Sequence, residues 1–400
     1  MKRLLMILVV ATLLALAGCA EDPDGGDDGV DDIDDGVDHA DSANSTADAD
    51  DGDAVGDTGE TDTVEDDTGD NGQDDTGDNG QDTPDGELEL HHIDVGQADS
   101  TLIVTPEQET ILIDTGDWRP DGEQVISYLE ALDIDRVDHL VATHAHADHI
   151  GGHAAIIEHF EADGDGIGAA YDSGIAHDTL TYENYLDAIE EYDVDLFEVE
   201  EGDELPLEGE VDATVLNPPA EDSGTDLHYN SITLAIEFGE FRYLTTGDAE
   251  SDAESRLVDD WSEELDADLY HAGHHGSSTS STEPFVEAVS PDIALISSAF
   301  DSQFGHPHDV VLERFTDHDI ETYWTGVHGD TVFTTDGGDD ISIQAEHDET
   351  TDPLELRDMK PDDGDDDSYS AVRPPVAGIE ISSESGVLPA TPRPTVGGHG

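Results

Sequence analysis

The chain reads as a mixed α/β domain in which two mixed sheets pack face to face with helices on their outer sides. Three observations predict this. Short apolar or alternating runs and helical patterns succeed one another in two roughly similar halves between residues 87 and 349. That order suits a two-sheet sandwich better than a doubly wound sheet. The glycine-rich loop of a dinucleotide-binding sheet is also absent from the sequence.

The first half opens with strands predicted at 88–94, 101–104 and 111–114, separated by polar turns. Asp121 can cap a helix carrying Val125, Ile126, Leu129 and Leu132 on one face. A buried strand over 137–143 (VDHLVAT) leads into a histidine-rich loop. Helices follow at 154–160 and 180–192, with short strands at 194–199 and 211–216. In the second half, strands over 231–238 and 241–246 form a hairpin about Gly239 and Glu240. A helix at 252–265, a strand at 267–271, a helix at 283–289 and a strand at 293–297 come next. A helix at 309–317 and strands at 321–324, 331–335 and 341–345 complete the domain.

Composition sets what flanks it. Residues 20–86 hold 27 acidic residues and no Lys or Arg. With almost no large apolar side chains, this segment cannot bury a core and is expected to be a disordered tether. The unit DDTGDNGQ repeats in tandem at 66–73 and 74–81, and it lacks the regular apolar position of calcium-binding nonapeptide repeats. Residues 350–400, with Pro, Gly and an acidic run, are expected to form a mostly disordered tail.

The acidity continues through residues 87–349, which carry 66 Asp and Glu against five Arg and no Lys, within a chain of net charge -92. Such a surface repels itself in dilute buffer, but at about 1 M salt the Debye length falls to roughly 3 Å. A halophilic, archaeal source is the expectation.

At the amino terminus, Lys2 and Arg3 precede an apolar run over 4–17, short for a permanent span. Residues 1–19 therefore read as a signal peptide, and its end, LAGC, resembles a lipobox with Cys19 as the lipidated residue. A plain secretory signal or an uncleaved anchor is the alternative. In each case the domain is expected at the extracellular face of the cytoplasmic membrane, lipid-anchored or secreted. Cys19 is the only cysteine, so the chain has neither an intramolecular disulfide nor a thiolate metal ligand.

The chemistry concentrates in THAHADHIGGH, residues 143–153. Three imidazoles and a carboxylate within six residues suit two divalent ions, since neutral imidazole and ionised carboxylate are their ligands. His144 and His146 can turn toward one ion, while Asp148 and His149 face a second. Gly151 and Gly152 allow close backbone approach before the next helix. Asp248, ending TTGD, is the candidate bridge between the ions. In HAGHHGSSTS, one of His274 and His275 is expected to bind the second ion and the other to contact substrate. Ser277, Ser278 and Thr279 offer hydroxyls and N–H groups to an anion. Asp114 is better placed to orient a ligand imidazole than to bind metal. Isolated histidines such as His159, His177, His318 and His347 read as surface residues.

Seven segments, HIDVGQADS, ILIDTGD, THAHADHIGG, NSITL, LTTGD, HHGSSTS and FGHP, resemble in order the metallo-beta-lactamase superfamily. More narrowly, they resemble the hydrolase domain of ComEC-type DNA-uptake competence proteins. The resemblance covers about 88–345 and implies a four-layered αββα fold with a dinuclear site, usually zinc; manganese is the alternative metal. It also implies a third histidine on the first ion. His228, 20 residues before Asp248, is the candidate, but its surroundings equally match a form of the subgroup that lacks one. His306 of FGHP is a candidate proton donor or phosphate contact. Proteins of that type carry a multi-helix channel. This chain has no second apolar segment, so any channel is expected to be a separate partner.

The expected reaction is hydrolysis by a hydroxide bridging two metal ions. A phosphodiester, nucleic acid above all, is the favoured substrate. The net charge opposes such a substrate, but high salt suppresses both that repulsion and ordinary counterion-driven attraction, so binding is expected to lean on direct phosphate coordination by the metals. The alternatives are a carboxylic ester, lactone, thioester or lactam hydrolase of the same fold, and a non-catalytic tethered metal-binding module.

Overall fold

The computed structural model describes residues 84–361 apart from 222 and 339. The expected signal peptide with Cys19, all but the last residues of the tether, and the tail beyond 361 lie outside the described residues.

The first sheet is built from β1 (Leu88–His92), β2 (Thr101–Val104), β3 (Thr110–Ile113), β4 (Val137–Val141), β5 (Ile167–Asp172), β6 (Leu196–Glu198), β13 (Thr331–Thr335) and β14 (Ile341–Ala345). Their spatial order is β14-β13-β1-β2-β3-β4-β5-β6. The second sheet runs β12-β11-β10-β9-β8-β7, from β7 (Val211–Asn217), β8 (Thr233–Phe238), β9 (Phe241–Thr245), β10 (Leu269–His271), β11 (Ile293–Ile296) and β12 (Glu321–Trp324). Both sheets are mixed. β3 to β6 pair parallel in the first, and β9 to β12 do so in the second.

Parallel neighbours need crossovers, and helices supply them. α1 (Glu123–Ala131), α3 (His153–Asp163) and α4 (Leu180–Tyr192) connect the parallel strands of the first sheet. A short α2 (Ala147–Ile150) stands just before α3. α5 (Ser251–Trp261), α6 (Glu283–Val289) and α7 (Asp309–Asp317) do the same in the second, and α8 (Thr325–His328) and α9 (Pro353–Met359) follow.

Strand alternation explains the layering. Ile111 and Ile113 on β3 join Leu234, Ile236 and Phe238 on β8 in the cluster between the sheets. The intervening Leu112 packs instead with Val125 and Leu129 of α1 and Ile156 of α3. On β11, Ile293 and Leu295 enter the central cluster, while Ala294 and Ile296 pack with Phe285, Leu312 and Trp324. A period of two on each strand thus feeds two interfaces at once. The result is the four-layered αββα arrangement.

Three elements depart from the sequence reading. β5 (Ile167–Asp172) was absent from it, because half of IGAAYD is Gly or Ala and it follows Gly164 and Gly166. Its Gly168 is required by close approach: a Cβ there would lie 2.3 Å from the Asp138 carbonyl oxygen. α2 occupies part of what reads as an extended ligand loop. α9 lies inside the predicted tail, where Asp352 caps it by accepting from the Leu354 and Glu355 N–H groups and Leu356 is fully buried. Burying such a side chain contributes about 1.5–3 kcal/mol, so the fold continues past 349.

Predicted strands over 88–94, 137–143 and 241–246 also end early. The chain turns away at those points to form loops, and Asp114, one residue beyond β3, has φ 56°. The loops that carry the ligand candidates leave the carboxyl ends of parallel strands: Asp114 after β3, residues 143–149 after β4, Asp248 after β9, and His274 and His275 after β10. Ligands gather at that edge in open α/β sheets.

Candidate metal centre

Asp114 anchors the cluster. It is buried, and its carboxylate accepts from Thr143 N (2.9 Å), Thr143 Oγ1 (2.7 Å) and His149 Nδ1 (2.7 Å). An ionised carboxylate only accepts, so His149 carries its proton on Nδ1 and presents Nε2 to the cluster. Gly151 makes the local path possible, since a Cβ there would lie 2.1 Å from Trp118 N.

Two donor sets meet on Asp248. One comprises His144, His146, His228 and Asp248, and the other Asp148, His149 and His275, each with ligand atoms within 4.8 Å of one another. Asp248 Oδ2 lies 3.7 Å from His144 Nε2, whereas Oδ1 lies 3.1 Å from His149 Nε2 and 3.8 Å from His275 Nε2. His275 Nε2 is also 3.3 Å from Asp148 Oδ2, and its Nδ1 donates to the Ser297 carbonyl at 2.9 Å. His144 Nε2 and His146 Nδ1 converge to 2.9 Å.

The donors fit divalent cations. His149 Nε2, His275 Nε2 and Asp248 Oδ1 are buried and form no well-aligned hydrogen bond, only ion-pair approaches within the cluster itself, a costly state unless something binds them. Nitrogen and oxygen donors without sulfur suit zinc or manganese.

Electrostatics divides the sets. Burial pulls the His144 imidazole well below its ordinary range, with His149 adding to it, and burial takes His146 to about 4. Both rings are therefore neutral, as ligation requires. In the other set burial opposes the charge, but Asp248 and Asp114 outweigh it and hold His149 well above its ordinary range. His275 is likewise raised to about 9, against burial, by Asp248 and Asp148. Protons thus balance the carboxylates where a cation would otherwise do so.

The remaining sequence-predicted residues fall around these sets. His274 is absent from the second set; it groups with His228 and Glu250 and has Nε2 3.6 Å from Asp248 Oδ2. His306 lies beyond both sets, its ring 5.9 Å from His274 and 6.2 Å from His275. Its Nδ1 pairs with Gln97 Nε2 at 3.2 Å, and burial followed by His275 takes it down to about 3, so it is neutral. Ser277 is buried, its hydroxyl bonded to Thr279 Oγ1 at 3.0 Å. Ser278 and Thr279 are exposed, but the Ser278 N–H already donates to His308 Nδ1 at 2.8 Å. The histidines read as surface residues, His159, His177, His318 and His347, are all half-buried, and His177 lies beside the site, its ring 5.6 Å from His146.

Sequence reasoning assigned no role to Asp99 or Glu250. The Asp99 N–H donates to the Asp148 carbonyl at 3.1 Å and its own carbonyl accepts from Gly116 N at 2.8 Å. Its carboxylate stands 3.1 Å from His271 Nε2, so one residue ties the metal loop to β10. Asp99 lies within HIDVGQADS, and Glu250 two positions after TTGD. Those positions were the available signal.

The family model described as "Metallo-beta-lactamase superfamily" matches residues 93–299, just over half of the chain. The chain belongs to that superfamily. It is 32% identical over 261 residues to ComE operon protein 3 of Bacillus subtilis, covering 61% of this chain and 32% of that protein. It is 30% identical over 247 residues to competence protein ComA of Neisseria gonorrhoeae, covering 62% and 32%. The chain thus spans about a third of the length of these relatives. Among solved structures, the metallo-beta-lactamase fold protein YhfI from Bacillus subtilis aligns with TM-score 0.40 and 15% identity, over 59% of this chain and 96% of that one. No helix among the described residues is long and apolar enough to cross a membrane.

Proposed function

We propose that the chain is a dinuclear metal-dependent hydrolase of phosphodiesters, nucleic acid above all, tethered through Cys19 at the outer face of the cytoplasmic membrane. One observation carries the dinuclear reading: the two oxygens of Asp248 are turned toward different donor sets. His144, His146 and His228 would hold one ion, Asp148, His149 and His275 the other, and Asp248 both. Two divalent cations so bound act as Lewis acids and lower the pKa of water.

The chain's own residues do the rest. Asp114 fixes His149 in the tautomer that leaves Nε2 free. Asp99, Asp114 and Asp248 are buried and Asp148 stands at the mouth, so four carboxylates match the charge of two divalent ions. Neutral His306, whose Nδ1 accepts from the Gln97 amide, keeps an N–H at Nε2 that can donate a hydrogen bond to a phosphate or departing oxygen, and His274 at the rim can contact a phosphate oxygen. The partial likeness to two competence proteins supports nucleic acid as the substrate class, and a separate channel protein is the proposed partner.

The test is turnover of DNA and of a generic phosphodiester in high-salt buffer with zinc or manganese, beside a lactone, thioester and lactam panel. Phosphodiester cleavage abolished by chelation is expected. Preference for the carboxylic substrates, or no turnover, defeats the phosphodiesterase reading.

A further inference from the structure

We infer that Glu250 is a positioning residue that holds His228 and His274 by their Nδ1 atoms and so aims both rings at the first donor set. The inference rests on reading that set as a metal site. Glu250 Oε1 lies 3.3 Å from His274 Nδ1 and 3.6 Å from His228 Nδ1, the second being an electrostatic approach rather than a closed hydrogen bond. The two rings are 4.7 Å apart, centre to centre. One carboxylate oxygen therefore faces two ring nitrogens at once.

Thr279 shares this arrangement, with Oγ1 3.3 Å from His274 Nδ1 and a hydrogen bond to the Glu250 carboxylate, but the helix end does not use the Glu250 side chain. Glu250 takes the N-cap position of α5 in an extended conformation, φ -102° and ψ -178°, and its side chain makes no capping hydrogen bond. The carboxylate turns to the imidazoles. Because it can only accept, His274 presents N–H at Nδ1, the nearby negative charge favours the same tautomer in His228, and Nε2 is the atom each ring then has left for a ligand. For His274 that atom faces Asp248 Oδ2 at 3.6 Å. For His228 it is the atom available to join His144 and His146, whose rings lie 5.9 and 5.0 Å away. A residue two places beyond Asp248 thereby recruits a histidine 22 positions before itself.

The experiment is zinc titration of the metal-free full chain in high-salt buffer, read as stoichiometry and affinity, for wild type, Glu250→Ala, Glu250→Gln, His228→Ala and the Glu250→Ala/His228→Ala double variant. Glu250→Ala is expected to weaken one of two ions by about 10- to 100-fold and leave the other unchanged. Glu250→Gln, whose amide oxygen still accepts one N–H, should recover part of the loss and serves if the alanine variant does not fold. The double variant should bind no more weakly than His228→Ala alone, because the two residues act on the same ion.

Unchanged affinity in Glu250→Ala, or additive losses in the double variant, overturns the inference. So does loss of a third zinc ion with the first two intact, which would make His228, Glu250 and His274 ligands of their own cation. A wild-type chain that binds two ions but cleaves no phosphodiester defeats the proposed function and leaves this inference standing. A chain that binds none defeats both.

Discussion

His149 Nε2 and Asp248 Oδ1 face each other at 3.1 Å, and neither has a hydrogen-bond partner outside this ion pair. His149 has its proton committed on the other side of the ring, where Nδ1 donates to Asp114 at 2.7 Å. Two buried polar atoms from different sheets are thus aimed at one point.

Replacing the residue common to both sets should therefore do more than weaken one ion. Asp248→Asn is expected to lower metal content below two per chain and hydrolysis by more than about 100-fold, beyond the 10- to 100-fold typical of residues that only orient a ligand. Metal analysis beside a rate assay checks this. Full metal content with undiminished rate would rule out the bridging role.

Asp114→Ala tests orientation. Three donors lose their acceptor at once, and breaking a buried pair of this kind costs about 3–5 kcal/mol. The variant should denature at markedly lower denaturant concentration and bind its second ion about 10- to 100-fold more weakly. A midpoint matching wild type would contradict the assignment.

Glu254 gives a pH dependence away from the metal loops. It is fully buried, its carboxyl accepts from Ser281 N and Thr282 N, and burial pushes it up from 4.5 to about 7. The native state then binds more protons than the unfolded chain between about 4.5 and 7, so stability falls as pH rises through that window. At about 1.4 kcal/mol per pH unit, the loss is roughly 3 kcal/mol. Glu254→Gln should flatten this slope in denaturant titrations from pH 4.5 to 8, and an unchanged slope would show that another group carries it.

Salt should stabilise the domain. The Arg residues that make ion pairs include Arg119, Arg136, Arg242, Arg256 and Arg314, too few to offset 66 acidic side chains over 87–349. Raising KCl from about 0.1 to 1 M shortens the Debye length from about 10 to 3 Å, and the melting temperature should climb across that range. A flat profile would count against the halophilic reading.

The layered architecture was legible because buried strands such as ILID and VDHLVAT carry their period in their side chains. β5 was not, since its Ala and Gly residues owe their strand conformation to pairing with β4 and β6 on either side. At the site, neighbouring ligands could be read from spacing: His144, His146, Asp148 and His149 share one loop. The choice between His274 and His275 could not, because it depends on a tight turn in which both residues take positive φ, 51° and 55°, and point apart. His228 comes to the cluster from a loop before β8, and only the packing of the two sheets brings it there.

Metal content of the purified full chain, loaded with zinc at high salt and freed of excess by dialysis, tests the central claim most directly. Two ions per wild-type chain and fewer in Asp248→Asn are predicted. Less than one ion per wild-type chain would contradict it.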